Sequence, residues 1–217
     1  MTPNDIIVDV KRIAQDNGLL RAANTYSASV LLAFVNQILK QTAILRPDLF
    51  TLTADVATNP NVVEQTMPAD AIHLVNVLAV KDGDAVVEVS REAMDQFYPQ
   101  WRSTTAGTPV NYMRHPRNPN RFYLYPKPAV GVVLTTEYAQ TPPTYTLNQP
   151  IALIPDSFQN TLAMGVLMLI SGIENPTADL SRYQQFQSAY EQALGVSLQA
   201  KGTLGLKENT KPSEVAR

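Results

Sequence analysis

Side chains that could carry out chemistry are few in this chain and lie far apart. Its 217 residues include two histidines and no cysteine. The missing thiols exclude a cysteine nucleophile and thiolate metal ligands. Neither His73 nor His115 has a carboxylate or a second histidine at a metal-ligand spacing. Asp82 and Asp84 flank Gly83, but the twelve-residue pattern of a calcium loop is missing, which favours a simple turn.

The sequence also lacks the common catalytic motifs. It contains no glycine-rich phosphate loop, no Gly-x-Ser-x-Gly elbow and no His-Glu-x-x-His pair. Carboxylates distant in sequence could still meet in the fold, so this pattern leaves one route to a catalytic dyad open. We predict a protein that is not an enzyme and that uses no cofactor and no metal.

The most unusual charge feature is a stretch without acids between Asp95 and Glu137. It carries five basic residues, with tyrosines between them: Arg102, Arg114, Arg117, Arg121 and Lys127. Such a stretch is typical of a surface that contacts DNA without reading its sequence, or an acidic neighbouring subunit. A solvated hairpin with its charges spread over both faces is the alternative. The net charge of −2 and the absence of a recognition motif argue against sequence-specific DNA binding.

Composition and the amino-terminal sequence indicate a protein made and kept in a cytoplasm. The hydrophobic content of 45% is enough for a sizeable core. The first five residues have neither the basic nor the apolar region of a secretory signal. The most apolar run, residues 162–170, is well short of the roughly 20 residues that span a bilayer. We therefore expect no membrane association.

Helical signals occupy the two ends of the chain. Thr2 as N-cap, Pro3 at the first helical position and Asp5 in the first turn begin a helix. A second helix begins near Ser27 and ends before Pro47. Near the other end, a predicted capping box of Asp156 and Gln159 begins an apolar helix. Asn175 with Pro176 begins the last helix, and Gly195 ends it.

Strand-like segments fill the middle of the chain. Short apolar runs at 50–53, 62–68, 73–80 and 85–89 are separated by turn residues, and Ser90 caps a short helix after them. The stretch 101–138 adds alternating strands around Phe122 and Leu124. We predict an α+β fold in which the terminal helices form a bundle and a β-rich insertion projects from it. Its segments are 1–48 and 151–195 for the helices, 49–150 for the insertion and 196–217 for an extended tail.

The order of these pieces resembles the head-to-tail adaptor (connector) proteins of tailed bacteriophages, in particular the short-tailed podophages. The pieces are the helix at 6–16, the helix around 31–36, the segment 64–70, Trp101 with the turn at 107–109, the strand at 122–126 and the Ile154-Pro155 helix entry. The resemblance implies a structural virion protein of the neck and tail. It also implies a homo-oligomeric ring, commonly a dodecamer, between the portal protein and a tail or nozzle protein, with DNA passing through its lumen.

The resemblance further implies that the carboxyl-terminal segment reaches into the portal. We expect this tail to be mobile in the free protein and to become ordered on the portal, with leucines filling apolar pockets and lysines meeting acidic rims. The candidate docking residues are Leu198, Lys201, Leu204, Leu206, Lys207 and Lys211. The apolar helix at 157–170 predicts contacts between subunits, because its apolar residues lie all round.

A binding module of the virion tail is the alternative function. It would use the aromatic residues of the central strands, Tyr112, Phe122, Tyr123 and Tyr125, to bind a saccharide or a peptide. Assembly state distinguishes the two, since only the connector must form a ring.

Overall fold

The computed structural model describes residues 1–16, 26–173 and 180–195. Within these ranges the chain has five α-helices and two β-sheets, which confirms the predicted α+β class. The helices are α1 (Pro3–Asp16), α2 (Ala28–Leu45), α3 (Arg91–Phe97), α4 (Gln159–Ile173) and α5 (Leu180–Leu194). The start predicted at Asn175 for the last helix lies outside the described residues.

The caps of two helices are as the sequence predicts. At the start of α1, the Thr2 backbone N–H donates to Asp5 Oδ2 at 2.7 Å, and the Asp5 N–H donates to Thr2 Oγ1 at 3.3 Å. These two bonds satisfy groups that a helix start otherwise leaves without partners. At the start of α3, the Ser90 hydroxyl accepts from the Ala93 N–H at 3.1 Å.

The prediction that Asp156 and Gln159 form a capping box at the start of α4 is wrong. A short 3-10 turn, Asp156–Phe158, precedes α4, and no side chain caps this turn. Asp156 instead accepts from the amino group of Met1 at 2.5 Å, and Gln159 donates through Nε2 to Asp9 Oδ2 at 2.6 Å. Both side chains are used to hold α1 against the start of α4.

Helix α4 is the centre of the bundle. It packs against α1, α2 and α5, and most of its large apolar side chains are buried within this one chain. Leu162, Val166, Leu167 and Ile170 are each at most 1% exposed, whereas Met164 and Leu169 are half-buried. The central position of α4 therefore explains most of its all-round apolar character, and the subunit contact through this helix stays a prediction.

Helix α2 is long and apolar enough to cross a membrane, as judged by length and composition alone. The prediction from the sequence tested only residues 162–170 as a membrane-spanning segment and did not include α2. The helix faces the bundle with seven buried residues: Leu31, Val35, Asn36, Ile38, Leu39, Thr42 and Ala43. The same composition is typical of the core helix of a soluble bundle.

Two antiparallel-rich sheets form the central unit. Their strands are β1 (Thr51–Ala57), β2 (Glu64–Thr66), β3 (Ala71–Val80), β4 (Val87–Glu88), β5 (Asn111–Arg114), β6 (Arg121–Tyr125) and β7 (Val133–Gln140). The first sheet has the order β1-β7-β3, and the second has the order β2-β6-β5-β4. Every pair is antiparallel except β4 with β5, which run parallel.

The two sheets pack against each other through one apolar cluster. It takes Leu74 and Leu134 from the first sheet, and Tyr112, Phe122 and Leu124 from the second. Since side chains alternate along a strand, the neighbours of these residues point outwards. On that outer face Met113 packs with side chains outside the strands, Met94 and Trp101, in a separate small core under α3.

After β7 the chain returns to the bundle through the proline-rich segment 141–155. Tyr145, Ile151 and Ile154 are buried in the helical core. Asn36 of α2 holds this segment, because its Oδ1 accepts from the Tyr145 N–H at 2.8 Å and its Nδ2 donates to the Tyr145 carbonyl at 3.1 Å. Asn36 is only 8% exposed, although asparagine is a residue type that mostly lies at the surface.

Candidate interaction surfaces

Trp101 lies at the centre of the small core under α3, and Arg102 is held beside it. The indole Nε1 donates to Asp95 Oδ1 at 2.8 Å, and Arg102 Nη1 lies 2.8 Å from the same oxygen. The Arg102 guanidinium also sits 4.3 Å from the centre of the Trp101 ring, in a cation–π contact. These two donors, the indole first, hold the pKa of Asp95 below its usual value. Arg102 is thus paired within the chain.

Arg114 joins the two sheets. Its Nε lies 3.0 Å from Glu88 Oε1, and its Nη1 donates to the Leu74 carbonyl at 2.9 Å. Nη2 donates to the Val75 carbonyl as well. Leu74 lies at an irregularity of the β3–β7 pairing, where backbone carbonyls are free to accept. Arg114 therefore bridges the two sheets from an exposed position, and a charge change there would remove these bonds as well as alter the surface.

Tyr112 extends the Arg114 network into the apolar core between the sheets. Its hydroxyl lies 2.8 Å from Asn76 Oδ1 and 2.9 Å from Glu88 Oε2. Burial first, and the neighbouring Glu88 second, raise the pKa of Tyr112 to about 12. The hydroxyl is a donor to these oxygens and is unsuited to act as a base.

The loop from His115 to Asn120 connects β5 to β6 and is fixed to the β2–β3 segment. His115 Nδ1 accepts the backbone N–H groups of Arg117 at 3.2 Å and Asn118 at 2.9 Å. The Pro119 carbonyl accepts from the Leu74 N–H at 3.0 Å, and Asn120 Nδ2 donates to the Ala71 carbonyl at 2.9 Å. His115 is therefore a turn-forming residue, which its place in the sequence did not reveal.

The five basic residues of the acid-free stretch differ in their surroundings. Arg102 and Arg114 are paired as described, and Arg121 Nη1 lies 2.8 Å from Glu64 Oε1. For Arg117 and Lys127, no ion pair is found among the described parts of the chain. Charge available to a partner is therefore concentrated on the exposed Arg117 and the half-buried Lys127. Contact of this stretch with DNA or another subunit stays a prediction.

An apolar patch lies next to the Trp101 core. Phe97 is 70% exposed at the end of α3, and Tyr98 beside it contacts the Tyr125 ring at 6.1 Å. The Tyr125 carbonyl accepts from the Val110 N–H, whose own carbonyl accepts from the Val87 N–H. Alternation along the strands turns Val87 and Val110 to opposite faces of the second sheet, so the exposed apolar patch here consists of Phe97 and Tyr98. Two adjacent aromatic residues after a short capped helix are a signal of this patch in the sequence.

The aromatic residues of the central strands do not form an open binding face. Tyr112 and Phe122 are at most 1% exposed, because the strand alternation turns them into the core between the sheets. Tyr123 points the other way and packs edge-on against Trp101 at 5.9 Å. The prediction that these aromatic residues bind a saccharide or a peptide is therefore wrong for Tyr112 and Phe122.

A groove of about 300 Å³ lies on the helical bundle between α2 and α5. Its floor is apolar, with Met168, Tyr183 and Tyr190, and its α2 side has Ile44, which is 72% exposed, and Leu45. The candidate docking residues of the tail lie outside the described residues: Leu198, Lys201, Leu204, Leu206, Lys207 and Lys211.

No metal-type cluster of three or more histidine, aspartate or glutamate residues occurs in the described residues. His73 is half-buried on β3, where burial first and Arg114 second lower its pKa. The prominent polar groups, Asp95, Glu88 and Arg114, are used to hold the β-unit together. The two sheets are thus held together by their own polar groups, and exposed apolar and basic side chains lie around them. Such a surface is typical of a protein that acts by docking on a partner.

The comparison with protein families agrees with this class. A family model described as SU10 adaptor protein matches residues 1–207. The chain belongs to the SU10 adaptor protein family, which makes it a structural adaptor of the bacteriophage virion. Such a component of the neck region contacts other parts of the virion. No curated protein matches the chain.

Proposed function

We propose that this protein is a head-to-tail adaptor that forms a ring between the portal and the tail of a short-tailed phage, with the genome passing through the ring. The observation that carries this proposal is the adaptor family match over residues 1–207. Twelve-fold symmetry follows from the resemblance to the connectors. A ring needs a head-to-tail contact between two different, complementary surfaces of the chain, and the patch of Phe97 and Tyr98 is exposed apolar surface suited to one of them. Imaging the assembled neck for a ring of this chain tests the proposal directly.

In this adaptor the distal tail of the chain, residues 201–217, docks on the portal protein. Leu204 and Leu206 are apolar in a segment otherwise rich in polar and basic residues, and such anchors fill pockets on a partner. Leu204→Asp combined with Leu206→Asp in the full chain is expected to weaken binding to purified portal rings by at least about 30-fold, the loss typical of interface hot spots. Titration of the portal with labelled protein measures it.

Thr203→Asp is the matched control, because it adds an acidic group to the same segment without removing an apolar anchor. It should bind the portal nearly as well as the unmodified chain. Equal binding by the double leucine variant would remove the docking role from the distal tail.

The unpaired basic residues are proposed to face the DNA or an acidic neighbour in the ring. Arg117→Glu with Lys127→Glu should leave the melting temperature nearly unchanged, because charges without an ion pair on a surface contribute little to stability, roughly 0–1 kcal/mol. Assembled particles should lose DNA retention or tail attachment. Both losses are measured on phage carrying the variant, by genome content and by electron microscopy of the tail.

Lys11→Glu with Lys40→Glu is the control for the same change of net charge, since Lys11 is exposed on α1 and Lys40 on α2, both remote in sequence from the basic stretch. If particles that carry the Arg117 and Lys127 variant have normal tails and full genomes, the basic stretch is a solvated hairpin that contacts neither DNA nor a neighbouring subunit.

A further inference from the structure

The groove between α2 and α5 has the shape of a site for an extended apolar segment. On α5 it is lined by Tyr183, Gln187, Tyr190 and Glu191, whose spacing of four, three and one residues makes a single stripe along the helix. Gln187 Nε2 donates to Glu191 Oε1 at 2.8 Å and forms a polar rim. The opposite wall is the exposed apolar end of α2, with Ile44 and Leu45. An apolar floor with a polar rim on one side is suited to a segment of alternating apolar and polar side chains.

Helix α5 ends with a turn close to this groove. Gly195 has a φ of 71°, and its N–H donates to the Gln192 carbonyl at 3.0 Å. This bond and this left-handed glycine are features of a Schellman cap, in which the next residue packs against the last turn but one of the helix. For this helix the next residue is Val196, and the turn it would meet includes Tyr190 and Glu191, which line the groove. Gly195 also lies beside Arg46, directly after the Leu45 end of the groove.

The sequence after Gly195 has the alternation that an extended segment in such a groove requires. Val196, Leu198 and Ala200 are apolar, and Ser197, Gln199 and Lys201 between them are polar. The stripe on α5 from Glu191 to Tyr183 is about 12 Å long at about 1.5 Å per residue, and about four extended residues cover it.

We propose that residues 196–200 of the same chain occupy the groove as an extended strand, with Val196 against Tyr190 and Leu45, and with Leu198 further along the groove between Gln41 and Gln187. Burying the side chains of both partners removes apolar area from water, which favours this state over an open groove. The base of the tail is then part of the bundle, and the docking segment begins at Lys201 from a fixed position. Leu198 is thereby reassigned from the portal interface to the bundle. This inference does not depend on portal docking, which is tested with Leu204 and Leu206.

The absence of cysteine from the chain allows a direct test by disulfide formation. The full chain is given Gln41→Cys with Leu198→Cys and is oxidised mildly at low protein concentration. A disulfide needs close, correctly directed Cβ atoms, so this pair should close within one chain at least about ten-fold faster than Gln41→Cys with Gln199→Cys, whose second thiol points away. Non-reducing electrophoresis and mass spectrometry of the monomer measure the two rates.

Equal rates for the two pairs would overturn the inference, because they would show a tail with no fixed face. Disulfide-linked dimers as the main product would also overturn it and would assign the groove to a second copy of the chain. A second pair of variants needs no oxidation: Leu198→Asp should lower the melting temperature, whereas Gln199→Asp should not. Equal melting temperatures for these two would also contradict the inference. Either failure leaves the portal result of the Leu204 and Leu206 variant unaffected.

Discussion

Gly165→Val is expected to lower the free energy of unfolding by about 3 kcal/mol, at the upper end of the usual cost of overfilling a packed core. Gly165 is where α4 meets two of its three neighbouring helices, α2 and α5. A Cβ atom there would lie 3.0 Å from Ile38 Cγ2 and 3.0 Å from two ring carbons of Tyr190. Ile38 and Tyr190 are at most 2% exposed and cannot turn aside. The Tyr190 hydroxyl is also held by Thr42 Oγ1 at 2.8 Å, which fixes the ring further.

Gly172→Val is the control within the same helix. A Cβ atom at Gly172 meets only the Tyr183 ring, at 3.3 Å, and Tyr183 is half-buried and can move. Both variants carry the same change in helix propensity, so the difference between their urea midpoints isolates the close packing at Gly165. Similar midpoints would mean that the bundle adapts and that the helices are not held at this distance by Gly165.

Asn36→Ala is expected to destabilise the chain by about 3 kcal/mol, because it leaves the buried backbone N–H and carbonyl of Tyr145 without the partners that Asn36 supplies, at about 1–3 kcal/mol for each group. The Tyr145 ring is itself buried in the helical core. The loss therefore combines two unsatisfied polar groups with a loosened attachment of the returning chain to α2. Thermal and urea unfolding measure the total change, and hydrogen exchange of the Tyr145 amide locates it.

Gln37→Ala is the neighbouring control, since Gln37 is exposed on the same helix. Its effect should stay within about 0.5 kcal/mol, as for an ordinary surface substitution. A small effect of Asn36→Ala, with normal protection of the Tyr145 amide, would show that water replaces the side chain there.

Asn36 also shows where prediction from the sequence reaches its limit in this fold. Periodicity and caps predict the bundle and the strands because they depend on neighbours a few residues apart, as with Thr2 and Asp5 at the start of α1. The bond from Asn36 to Tyr145 spans more than a hundred residues, and no local pattern distinguishes a buried asparagine from a surface one. Asp156 and Gln159 were misread for the same reason, since their partners lie on or before α1.

The candidate surfaces follow the same division. The acid-free stretch is visible in the sequence, but the carboxylates that neutralise Arg102, Arg114 and Arg121 come from Asp95, Glu88 and Glu64, all outside that stretch. Only the structure separates these arginines from Arg117 and Lys127. The groove on the bundle was equally invisible, because it is made by two helices that are distant in sequence.

The order of strands in the first sheet has a consequence for biosynthesis. Strand β7 lies between β1 and β3, and both of these pair with it, Ala57 with Val133 and Val80 with Leu134. Ribosomes deliver residues from the amino terminus at about 5–20 per second, so β1 waits several seconds for its partner strand. Strand β1 has three exposed positions, which limits its tendency to associate with other nascent chains during that interval. Completion of this sheet is thus timed by the emergence of β7 from the ribosome, and pausing of translation shortly before residue 133 would prolong the most vulnerable stage of folding.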